Sequence, residues 1–137
     1  MKYLTRLFFC ALSIFLVSCQ EVNTTDPEEA LDHWLGINPS EEVTPINAKY
    51  WQSAHLFKEY TLFMELDASE EWIEGFISQN SLRRGSVDMH VNGLNFPEWF
   101  MAGQPEGFVP YKKDMYDVSF YLIHKEEGKV FVFESQW

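Results

Sequence analysis

The sequence predicts an α+β domain: an antiparallel sheet of about four strands with one main helix packed on a face, preceded by an acidic tether that carries a short helix. Three observations predict it. Residues 60–66 alternate side chains with the period of a strand and run straight into a capped amphipathic helix. Residues 118–133 read as a hairpin, and near Lys58 the composition changes from acidic and proline-punctuated to aromatic-rich.

Within the tether, Thr25 and Asp26 offer a cap, Pro27 suits a first helical turn, and Glu28 and Glu29 meet the positive end of the helix dipole. Leu31, Trp34 and Leu35 share one face, and Gly36 can end the helix. Asn38-Pro39-Ser40 and Thr44-Pro45 then predict irregular chain.

In the domain proper, Tyr60, Leu62, Met64 and Leu66 alternate with Thr61, Phe63 and Glu65 as a strand. Asp67 and Ser69 are N-caps for a helix over 69–79, with Glu70 and Glu71 in its first turn and Trp72, Ile73, Phe76 and Ile77 on its apolar face. Val87, Met89 and Val91, set against Ser86, Asp88, His90 and Asn92, predict a second strand with one wet face, closed by a turn at Asn92-Gly93. At the C-terminus Val118, Phe120 and Leu122 face one side of a strand, Tyr121 and Ile123 the other. Lys125-Glu126-Glu127-Gly128 turns the chain, and residues 130–133 return it. Both faces of this hairpin are apolar, which predicts cover on both sides.

Residues 95–116 are the most unusual stretch, a long connection rich in aromatic rings and punctuated by proline and glycine. Connections of this length are functional or disordered in most domains, and so many rings argue against disorder. Phe96, Trp99, Phe100, Phe108 and Tyr111 are the candidate binding residues, because rings supply large contact area at low rotamer cost. The plainer reading is that Trp99, Phe100 and Phe108 cover the open face of a small sheet.

The first residues carry a different message. Lys2 and Arg6 precede an apolar run over 7–17, broken only by Ser13 and too short for a membrane-spanning helix of about 20 residues. A basic start, a short apolar centre and a small residue at the cut are the parts of a secretory signal. Leu16-Val17-Ser18-Cys19 resembles the lipobox of bacterial lipoproteins. The resemblance implies a signal peptide over 1–18, diacylglycerol on the Cys19 thiol, and a membrane anchor there. Each buried methylene contributes about 0.8 kcal/mol, so two or more fatty chains such as palmitate hold stably. Gln20, where inner-membrane lipoproteins carry Asp, resembles the class sorted to the outer membrane facing the periplasm. Cys10 would leave with the signal, so the mature chain has no second cysteine for a disulfide.

Beyond the signal, the chain divides into a lipidated acidic tether over 19–57 and a compact domain over 58–137. All 21 acids lie beyond Cys19, whereas Lys2 and Arg6 lie before it, so the net charge moves from −11 to −13 on cleavage. So acidic a chain excludes nucleic acid as a partner and suits a basic protein. Pro97-Glu98-Trp99-Phe100, between a strand-helix unit and a terminal hairpin, resembles a segment of small envelope lipoproteins that have no settled activity. That resemblance implies a fold and transfers no catalytic residue.

Catalytic patterns are sparse. The four histidines lack metal-ligand spacing, no phosphate-cradling glycine loop or nucleophile elbow is present, and no cofactor motif occurs. Asp88 and His90, two apart on the predicted wet strand face, are the one acid-base pair worth naming. Arg83-Arg84 and Lys112-Lys113 are the basic pairs, readable as solvated turn residues or as contacts to an acidic ligand. The expectation is therefore a lipid-anchored envelope protein that is not an enzyme, acting as a protein-binding, accessory or inhibitor (immunity-like) module. The alternatives are a glycan or small-ligand binder using the 96–111 loop, and a hydrolase using Asp88 and His90.

Overall fold

The structure is a computed structural model that describes residues 20–55, 58–87, 94–100, 106–114 and 116–137. Its elements in chain order are β1 (Val22–Thr24), α1 (Pro27–Leu35), β2 (Val43–Gln52), β3 (Tyr60–Ala68), α2 (Glu70–Gln79), β4 (Arg83–Arg84), β5 (Val109–Lys112), β6 (Phe120–His124) and β7 (Lys129–Gln136). The strands form one antiparallel sheet in the order β1-β2-β3-β7-β6-β5-β4. Two antiparallel meanders, β1 to β3 and β4 to β7, meet where β3 pairs with β7.

This architecture corrects the expectation of about four strands, one main helix and a preceding tether: the sheet has seven strands, and two helices pack on it. Residues 20–52 are part of the sheet and its core. Leu31 of α1 has no exposed surface, and α1 lies against Val43, Ala48 and Tyr50 of β2 in one buried cluster. The acids that suggested a tether, Glu28, Glu29 and Asp32, are simply the wet face of α1. Strand β2 was hidden by a register shift between Pro45 and Asn47. Val43 and Pro45 point inward before the irregularity and Ala48 and Tyr50 after it, so the period of two breaks in mid-strand. Proline is tolerated because β1 reaches only Tyr50 to Gln52, leaving the rest of that side of β2 without a neighbouring strand among the described residues.

Other elements follow the sequence closely. Asp26 caps α1 by accepting from the Glu29 N–H at 3.0 Å, and Gly36 ends it in the left-handed region at φ 67°. Ser69 caps α2 by accepting from the Trp72 N–H at 3.1 Å. The 125–128 turn joins β6 to β7 as expected. Most of the expected strand around Met89 and Val91 falls on 88–93, outside the described residues, and Val87 belongs to no strand.

The sheet is covered on both faces. Ile73 and Phe76 of α2 join α1 over one, packing on Leu62, Met64 and Leu66 of β3 and on Tyr121, Ile123, Val130 and Val132. On the other face Phe63, Phe120, Leu122, Phe131 and Phe133 form a phenylalanine-rich layer under Leu94, Phe96, Trp99, Phe100 and Phe108. Alternation along β3, β6 and β7 supplies both layers, since successive side chains point to opposite faces.

Candidate functional site

The five aromatic residues singled out in the sequence do not share one surface. Phe100 is 2% exposed and packs edge-on against Phe63 at 5.3 Å and Phe131 at 5.7 Å. Phe96 stacks on Phe100 at 5.5 Å, Phe108 meets Phe131 at 5.6 Å, and half-buried Trp99 lies against Phe100 at 5.9 Å. These four cover the phenylalanine layer. Tyr111, on β5, is buried in the opposite, helix-side cluster. Cys19, Asp88 and His90 lie outside the described residues. Among the described residues no group of three or more His, Cys, Asp or Glu could hold a metal, and no helix is long and apolar enough to cross a membrane.

A site that sequence reasoning missed lies on the helix face, at one end of the sheet. Val130, Val132 and Glu134 alternate along β7 on the inward parity, so a carboxylate stands where two apolar side chains precede it. Three elements bring donors to it. Trp34, in the last turn of α1, donates its indole N–H to Glu134 Oε2 at 2.9 Å. Tyr60, at the start of β3, donates its hydroxyl to the same oxygen at 2.6 Å, and Tyr121 of β6 donates to Oε1 at 2.5 Å. An acid on the buried parity of a strand was the one signal that could have found the site.

Burial, first, and the Glu134 carboxylate beside them hold the Tyr60 and Tyr121 phenols well above their ordinary range. Both therefore remain neutral donors at physiological pH. Three neutral donors solvate the carboxylate without neutralising it, and Glu134 makes no ion pair within 4 Å among the described residues.

An aromatic wall surrounds the carboxylate. Phe76 of α2 touches Trp34 edge-on at 5.8 Å and Tyr121 at 5.4 Å, while Tyr60 stacks on Tyr50 at 6.0 Å. Tyr50 in turn stacks on His33 at 5.5 Å. Trp34, Tyr60, Phe76, Tyr121 and Glu134 line an open cavity of about 580 Å³, together with Lys113, Asp117 and Trp137. A carboxylate at the floor of an aromatic-lined cavity suits a cation such as an ammonium or guanidinium group. Compared with family models, curated proteins and solved structures, the chain matches none.

Proposed function

We propose that this chain is a lipid-anchored cell-envelope protein that captures a basic protein partner, an accessory or inhibitor module of the immunity type, with a cationic side chain of that partner entering the Glu134 cavity. The observation that carries the reading is a half-buried carboxylate that takes hydrogen bonds from Trp34, Tyr60 and Tyr121, has no cationic partner among the described residues, and lies in an aromatic-lined cavity. The net charge, −11 for the whole chain and −13 after cleavage before Cys19, adds long-range attraction for a basic partner and raises its encounter rate. The Leu16-Val17-Ser18-Cys19 lipobox supports lipid attachment at Cys19, and Gln20 supports the outer membrane facing the periplasm.

The glycan-binding alternative draws less support, because Phe96, Phe100 and Phe108 spend their rings on the sheet. The test is affinity capture from detergent-extracted membranes with the full chain, alongside Glu134→Gln, which keeps the side-chain shape and removes the charge. A stoichiometric basic partner should be held by the unaltered chain, associate more slowly as salt rises, and be lost from a folded Glu134→Gln variant. Recovery of no stoichiometric partner, or undiminished capture by Glu134→Gln, refutes the reading.

A further inference from the structure

The two basic pairs, Arg83-Arg84 and Lys112-Lys113, are far apart in sequence but adjacent in the fold. Strand β4 pairs antiparallel with β5 in a register that sets Arg83 opposite Lys112 and Arg84 opposite Tyr111. In a chain with ten Lys and Arg against 21 Asp and Glu, four of the cations thus gather on one end of the sheet.

Like charges directly opposite each other on neighbouring strands are destabilising. Charge on an edge strand alone would be explained by protection against edge-to-edge pairing. That account covers Arg83 and Arg84. It does not require Lys112 at the end of the next strand and Lys113 just beyond it, nor a concave surface between them. Here the four cations, with Gly85 and Ser86, line a cavity of about 580 Å³.

Among the described residues Asp114 is the one carboxylate on the lining, against four cations, and its Oδ1 accepts the backbone N–H of Tyr116 at 3.1 Å, closing a local turn. Arg83, Arg84 and Lys113 make no ion pair within 4 Å among the described residues. Tyr116, 94% exposed, adds a phenol hydroxyl at the rim.

We infer that the β4–β5 end of the sheet is an anion site that binds a phosphate group, with Arg83, Arg84, Lys112 and Lys113 supplying the charge and Ser86 and Tyr116 neutral donors. Arginine presents paired N–H donors that match phosphate oxygens, lysine a compact point charge, and a concave surface of one sign concentrates the field. The site takes the charge opposite to that of the Glu134 cavity, and Lys113 lines both.

A phosphate can come from a soluble compound or from a lipid headgroup. β1 and β4 are opposite edges of the sheet, six strand spacings apart, or about 29 Å at ~4.8 Å each. With Cys19 anchored next to β1, the basic end points away from its own membrane, and the soluble source is the expected one.

Calorimetric titration of the full chain in a phosphate-free maltoside detergent tests this, with inorganic pyrophosphate in one arm and dihexanoyl phosphatidic acid in the other. Pyrophosphate should bind, more weakly as potassium chloride rises, and the Arg84→Gln, Lys113→Gln double variant should lose about tenfold or more in affinity while keeping its circular dichroism spectrum and melting temperature. Binding of the short-chain lipid alone supports the phosphate site and assigns the headgroup as its source. Binding of neither probe, or unchanged affinity in the folded double variant, overturns the inference.

Discussion

Tyr121 donates its hydroxyl proton to Glu134 Oε1 across 2.5 Å, joining neighbouring strands β6 and β7 on the face that carries both helices. The same carboxylate reaches α1 through Trp34, 100 residues away, and β3 through Tyr60, 74 residues away, so one acid ties both to the β6–β7 hairpin. It thus has two roles, as a clasp within the fold and as the charged floor of a cavity.

As a clasp it has a stability that can be measured. Glu134→Ala would leave three donors without their acceptor, of which the Tyr121 hydroxyl belongs to a residue only 4% exposed. An unsatisfied buried polar group costs about 1–3 kcal/mol, so urea unfolding should show a loss in that range or somewhat above it. Glu134→Gln, which keeps one acceptor oxygen, should lose less. Equal stability of Glu134→Ala and the unaltered chain would remove the clasp from the account.

The same contacts set an alkaline limit. The Tyr60 and Tyr121 protons are held more tightly in the folded chain than in the unfolded one, by burial first and by Glu134 next. That contribution is fully present below the unfolded tyrosine value of about 10 and is lost as pH rises through the higher folded values. The urea midpoint should therefore fall above about pH 10, and Tyr60→Phe with Tyr121→Phe should flatten that fall while starting from a lower stability. A profile of the same steepness in the double variant would assign the alkaline loss to other groups.

Two glycines with nearly equal backbone angles separate conformational strain from collision. Gly36, φ 67°, has open space around the position of a Cβ, whereas at Gly128, φ 65°, that Cβ would lie 2.6 Å from the Ala68 carbonyl oxygen. The Gly128 carbonyl also accepts the Ala68 N–H at 2.7 Å, so the turn cannot shift without breaking this contact to the end of β3. Gly36→Ala should cost about 1 kcal/mol, the left-handed penalty alone, and Gly128→Ala distinctly more, about 2–4 kcal/mol. Thermal unfolding of the two variants side by side reads the order, and equal losses would contradict the collision.

The contrast between what the sequence made visible and what it hid is physical. Strand β3, helix α2 and the β6–β7 hairpin are legible because period, cap and turn agree along an unbroken local stretch: Leu62 to Leu66, Ser69, Gly128. Strands β2 and β5 are not, since Pro45 and Pro110 sit inside them and the β2 irregularity reverses the alternation. Strand β4 is two arginines with no period to read, and it becomes a strand only by pairing with β5. The candidate sites are less legible still. Trp34 and Glu134 are 100 residues apart, and Arg83 meets Lys112 only through sheet order, so neither cluster has a local spacing that would announce it.

If the 94–108 segment is core cover, truncating it must cost stability. Phe100 touches Phe63, Phe120 and Phe131 and is nearly fully buried, so Phe100→Ala should lose about 3–5 kcal/mol through lost burial and the cavity left behind. Trp99, half-buried at the margin of the same layer, should lose less on truncation to alanine. Denaturant unfolding of both variants tests this, and a Phe100→Ala loss below about 1 kcal/mol would return the segment to the role of an exposed binding lip.

The corrected fold also changes the meaning of the anchor. Edge strand β1 begins at Val22, and the Trp51 indole N–H donates to Glu21 Oε1 at 2.6 Å, so the sheet comes within three residues of Cys19. Three residue steps span at most about 10 Å, so a lipid on Cys19 would hold the sheet's β1 edge close to the bilayer with no long tether between. Cys19→Ala should abolish incorporation of labelled palmitate, leave the chain unprocessed after Ser18, and leave the domain's unfolding midpoint unchanged. Labelling that persists in this variant would refute the lipobox assignment and, with it, the orientation that turns the basic β4 edge away from the membrane.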